Sequence, residues 1–150
     1  MKKLYYTLSC LVVLSGLFNC INTKNESFHL NETIAFEEQA DAQEQFERGL
    51  MYYWGQGTPQ NYKEALKWFS KSAKQGNADA QYVLGGMYYL GDGVQQDYVL
   101  AHMWFDLAAA QGNVKAQEIM GVTAKKMSPA QIEKAQNLAQ AQKADPDFVK

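Results

Sequence analysis

Small, aromatic and polar positions between residues 42 and 121 follow one another in a fixed order that starts again after 36 residues. Gly49, Gly55, Gly57, Ala65, Trp68, Phe69, Ala73, Gly76 and Asn77 recur as Gly85, Gly91, Gly93, Ala101, Trp104, Phe105, Ala109, Gly112 and Asn113. Gln45 and Gln81 lead on to Gln117, and Gly49 and Gly85 to Gly121. A constant period of this size marks a repeat architecture. It predicts an entry helix and first unit over 33–77, a full second unit over 78–113, and the first helix of a third over 114–127.

Each unit reads as two helices. In the second, the first helix covers Ala78 to Leu90. In the first unit it is expected to begin near Thr33 and run to about Trp54, through a stretch rich in alanine, glutamate and glutamine, all good helix formers. Asn77 and Asn113 stand where a side-chain oxygen is wanted to cap the free amides of a new helix. Gly76 and Gly112 suit the left-handed residue that closes the previous one. Asn61 and Asp97 are placed to cap the second helices, and Asn61 with Glu64 has capping-box spacing. Gly49, Gly85 and Gly121 fall inside helices, where glycine costs about 1 kcal/mol relative to alanine. Their shared register predicts that a side chain there would strike the partner helix. Ala65, Ala73, Ala101 and Ala109 supply small faces, while Trp68-Phe69 and Trp104-Phe105 are expected to fill the space between adjacent pairs.

After Gly121 the period dissolves. Ser128-Pro129-Ala130-Gln131 combines a cap, a proline at the first helical position and a glutamine at the box position. A helix from Ala130 to about Lys143 follows, with a thin apolar stripe suited to a terminal cap, so 128–150 reads as capping helix and tail.

The second unit carries Leu84, Gly85, Tyr88, Gly91, Gly93, Val94, Asp97, Ala101, Trp104, Phe105, Ala108, Ala109, Gln111 and Gly112. In this it resembles the Sel-one-like repeats, a family of tetratricopeptide-type helix pairs, over about residues 42–121. The first unit departs from that pattern at Arg48, Thr58 and Asn61, which bears on how regularly it packs. The resemblance implies an all-α fold, a curved αα-hairpin solenoid of two full repeats, a partial third and a capping helix. It also implies that the protein binds other proteins and performs no chemistry.

The N-terminus reads as an address. Met1-Lys2-Lys3 precedes an apolar run from Leu4 to Phe18, too short for a spanning helix of about 20 residues and suited to a secretory signal. Leu17-Phe18-Asn19-Cys20 resembles a bacterial lipobox, which would place an acyl group on Cys20; signal cleavage nearby and an uncleaved anchor remain open. Residues 1–20 are thus a signal and 21–32, polar and without period, a tether. Each reading exports the domain to the periplasm, to the envelope as an outer-membrane lipoprotein, or to the medium, with membrane contact only through this anchor.

Both cysteines, Cys10 and Cys20, lie in that segment, so disulfides and thiolate metal sites are not expected in the folded part. The formal charge of −2 and the lack of a basic stripe give nucleic acid no electrostatic footing. Gly55-Gln56-Gly57 and Gly91-Asp92-Gly93 follow helices rather than strands and lack the lysine of a phosphate loop, so they read as turns. His29 falls in the tether, and His102 takes the register of Leu66, which suits packing better than catalysis. Some cysteine-rich relatives of the repeat family are linked to β-lactam binding, but no serine here is followed three residues later by lysine. No catalytic residue, metal or cofactor is expected.

What remains is binding. In tetratricopeptide-type arrays the first helices line the concave surface. Counted from the helix glycine, that face receives Phe46, Leu50 and Tyr53, and then Tyr82, Gly86 and Tyr89, with Trp54 beside them. These aromatics suit a groove for a peptide, and equally suit completion of the core. The leading reading is an envelope-anchored adaptor for a protein or peptide. The alternatives are a cell-wall enzyme or ligand binder, and an inhibitory or structural subunit. Oligomeric state is left open.

Overall fold

The structure, a computed structural model, describes residues 41–148. Cys20, His29 and the tether lie outside the described residues. Six helices follow in order: α1 (Ala42–Trp54), α2 (Tyr62–Lys74), α3 (Ala78–Leu90), α4 (Tyr98–Ala110), α5 (Val114–Ala124) and α6 (Pro129–Ala144). Among the described residues there is no strand. The fold is an all-α repeat solenoid: α1 pairs with α2, α3 with α4, and each pair packs on the next through α2–α3 and α4–α5.

The expected caps form. Asn77 and Asn113 accept the amides of Ala80 and Ala116, and Asn61 and Asp97 each accept two first-turn amides. Each cap stabilises its helix by about 1 kcal/mol. Ser128 and Gln131 close a reciprocal capping box at the start of α6. Asn61 and Glu64 do not, because the Glu64 carboxylate pairs forward with Lys67 instead. The helix that ends at Trp54 also starts later than composition suggests. Asp41 is extended (φ −69°, ψ 168°) and its carboxylate accepts the Glu44 amide, so α1 begins at Ala42 rather than near Thr33.

Sterics within each pair explain two of the three helical glycines. A Cβ on Gly49 would lie 2.5 Å from the Phe69 ring, and one on Gly85 would lie 2.7 Å from the Phe105 ring. The two phenylalanines, both fully buried, therefore fill space inside a pair rather than between pairs. Gly121 departs from the expectation: a Cβ there meets nothing within 4 Å. The third unit has no second helix folded back on it, because α6 docks on α4.

Between pairs the joint is polar as well as apolar. Within the first pair Gln75 donates to Gln45 at 2.8 Å, and within the second Gln111 donates to Gln81 at the same distance, which holds Gln81 for the bond that crosses to the preceding pair. Gln81, 5% exposed, also donates to the Ala73 carbonyl at the end of α2. Buried amides are stable only with such partners. Asn77 and Asn113, the caps of α3 and α5, add a second link, donating back to Gln43 of α1 and Asp79 of α3.

Helix α4 sits at the centre and is buried on nearly every side, since α3, α5 and α6 all pack on it. Ala135 and Ala139 of α6 join Met103, Trp104 and Leu107 in the largest core cluster, which extends to Ala73, Ala80 and Leu84. The cap helix therefore covers α4, the second helix of the second pair. The outward face of the first helices α1 and α3 stays uncovered among the described residues.

Candidate functional site

That uncovered face carries every residue the sequence nominates for a groove. Phe46, Leu50, Tyr53, Tyr82 and Tyr89 are each half-buried, and Trp54 is 63% exposed. Each ring roots on the core and offers its remainder to solvent. Phe46 packs on Phe69 with ring centroids 5.7 Å apart, and Tyr82 packs on Phe105 at 6.0 Å in the same tilted arrangement. Leu50 and Tyr53 close the cluster around Ala65, Phe69 and Met87. Packing and exposure thus coexist in one side chain, and the groove and core readings describe two sides of the same residues.

Gly86 stands where the first unit has Leu50. A Cβ there meets nothing within 4 Å, so the helix surface is open at this position. At the far end of each first helix the matching positions Trp54 and Leu90 are equally exposed, at 63%. Met51 and Tyr62 extend this apolar rim in the first unit.

Four residues complete the site that the groove positions alone do not name: Tyr62, Asp92, Tyr98 and Lys126. Tyr53 stacks edge-on with Trp54 at 5.0 Å and with Tyr62 at 5.1 Å. Its hydroxyl donates to the Asp92 carboxylate of the next unit at 2.9 Å. Burial first, and then this hydrogen bond, push the Tyr53 phenol up to about 12, so it remains a donor throughout the physiological range. One period on, Tyr89 meets Tyr98 at 5.4 Å, and the Lys126 ammonium lies 4.9 and 5.3 Å from the two ring centroids. The sequence signal for the tyrosines is the recurrence of Tyr62 as Tyr98, each directly after a capping residue. Gly93 is held to glycine by the same region: φ is +71° and a Cβ would lie 2.7 Å from the Tyr62 backbone.

Among the described residues, three further features have their own places in the fold. His102 is buried in α4, its Nδ1 without a hydrogen-bond partner among the described residues, and burial lowers its pKa against a weaker opposing pull from Asp106. Arg48 lays its guanidinium over Trp68 at 4.9 Å, which accounts for a cation at an expected apolar position. A cavity of about 430 Å³ lies elsewhere, at the C-terminal ends of α2, α4 and α6, around Gln75, Gln81, Gln111 and Gln142. Among the described residues no three metal-ligating side chains cluster, and no helix is long and apolar enough to cross a membrane.

A family model described as the Sel1 repeat matches residues 45–77 and 78–113. Among solved structures, the chain is similar to a protective antigen of uropathogenic Escherichia coli that displays an SLR fold. The identity is 32% over 77% of this chain and 25% of that one, with a TM-score of 0.68. It is also similar to a Sel1 repeat protein from Oxalobacter formigenes, 41% identical over 53% of this chain and 23% of that one, with a TM-score of 0.52. The chain thus spans about a quarter of the length of either structure. No curated protein matches it. Sel1 repeat proteins generally mediate protein–protein interaction.

Proposed function

We propose that this chain, a Sel1-repeat protein, is an exported, envelope-attached scaffold that binds a protein or peptide along the face of α1 and α3 and has no catalysis of its own. The observation that carries the reading is the asymmetry of cover. Helix α6 covers α4 of the second-helix layer, while six half-buried or exposed apolar and aromatic residues on the first helices are left to solvent. Half-buried tyrosines and an exposed tryptophan give large contact area at low entropic cost, as binding surfaces do. The open space at Gly86 leaves room for a bound segment to approach the helix backbone.

Attachment rests on the Leu17-Phe18-Asn19-Cys20 stretch, and intact mass of the membrane-fraction protein tests it: a chain beginning at acylated Cys20 supports the anchor, an unlipidated one removes it. For the binding face the discriminating variant is Gly86→Trp, which places a bulky ring in that open space and away from the core. Retention of a partner recovered by the wild-type chain should be lost while the thermal melt is unchanged. Undiminished retention would refute the assigned face.

A further inference from the structure

The second repeat seats one of the protein's own cations on an aromatic pair, and the first repeat has the same pair without one. Tyr89 and Tyr98 meet at 5.4 Å and 59°, and Lys126 caps both rings. Tyr53 and Tyr62, their counterparts one period earlier, meet at 5.1 Å and 61°. The residue one period before Lys126 is Leu90, which has no charge to offer. Among the described residues no cation stands over Tyr53 or Tyr62.

The first-repeat pair is also better furnished for a cation than the one already occupied. Trp54, the ring type with the strongest attraction for cations, stands edge-on to Tyr53 and is largely exposed. Asp92 holds the Tyr53 hydroxyl through Oδ2 and keeps Oδ1 as a second acceptor. Its counterpart beside the Lys126 site is Ser128, which is neutral.

We infer that Tyr53, Trp54, Tyr62 and Asp92 form a seat for a lysine or arginine side chain of the bound polypeptide, so that the partner segment is basic at this point. The inference rests on the reading of the α1–α3 face as the binding face. Arginine is the better fit, because a planar guanidinium stacks on a ring while its edge meets a carboxylate.

The test titrates the full chain with acetyl-Ala-Arg-Ala-amide and with its citrulline isostere, which keeps the shape and loses the charge. Binding is read from the Trp54 indole N–H and the Tyr62 ring in NMR spectra. The arginine probe should bind roughly three- to tenfold more tightly than the citrulline probe. Asp92→Asn, whose amide oxygen still accepts from Tyr53, should remove most of that difference. Leu90→Lys should supply an internal cation, as Lys126 does one repeat later, and exclude the arginine probe. Equal binding of both probes at Trp54 overturns the cation seat and leaves the binding face standing. Shifts confined to α2, α4 or α6, or no shift at Trp54 with either probe, overturn both.

Discussion

The Phe69 ring lies where a side chain on Gly49 would have to be, 2.5 Å from the position of its Cβ, and Phe105 stands in the same relation to Gly85. One helix gives up its side chain so that the other can bury a ring flat against its backbone. The cost of glycine within a helix is about 1 kcal/mol, and a fully buried phenylalanine returns more than that.

Gly49→Ala and Gly85→Ala should each destabilise the fold by about 1–3 kcal/mol, the usual cost of overpacking a dense core. Gly121→Ala should do the reverse and stabilise by up to about 1 kcal/mol, since its Cβ enters open space. Urea unfolding of the three variants checks both signs, and a loss at Gly121 equal to that at Gly85 would contradict the account.

Gln81, bonded within its own repeat and to the one before, gives a second expectation. Gln81→Leu removes a buried donor to Ala73 and a buried acceptor for Gln111, so it should cost about 1–3 kcal/mol. Gln111→Ala, at an exposed position, should cost less than about 1 kcal/mol because water replaces the lost partner. Equal losses at the two positions would mean that the bond to Ala73 contributes nothing.

His102 sets a pH dependence. Burial lowers its folded pKa from the ordinary 6.5. Above that value both folded and unfolded chains hold it neutral, and it has no effect. As pH falls below it the unfolded chain takes up the proton first, so stability falls until the lowered folded pKa is passed. His102→Leu, the residue of the first repeat at this register, should flatten stability between neutral pH and the onset of carboxylate titration. Denaturant midpoints measured across that range decide it.

Tyr53 is expected to titrate well above the ordinary tyrosine value, near about 12, through burial and then Asp92. Asp92→Asn should bring it down only in part, because burial is the larger cause. NMR titration of the tyrosine ring carbons measures it, and an unshifted Tyr53 in the wild-type chain would mean that its hydroxyl is not held as described.

The repeat is legible in the sequence because its constraints are local and recur. Capping asparagines, turn glycines and helix glycines each answer a backbone or steric demand that returns every 36 residues. The cap helix is legible from Ser128 to Gln131 for the same reason. What periodicity does not convey is where a non-repeating element docks. Gly121 shares the register of Gly49 and Gly85 yet meets no ring, because α6 turns to α4 instead of completing a third pair. In the site, Tyr62 and Tyr98 recur visibly, whereas the contrast between Asp92 and Lys126 depends on contacts that cross from one repeat to the next. Such contacts appear only once the pairs are stacked.

The most direct test of the binding face is site-specific photo-crosslinking in intact cells, with the reactive residue placed at Trp54 or Met51 on the first helix and at Lys67 or Glu133 on α2 and α6. The account predicts one discrete adduct from both first-helix positions, absent from the outer ones and suppressed at Trp54 by Leu90→Lys. Adducts arising only from Lys67 or Glu133, or none from the first-helix face, would contradict it.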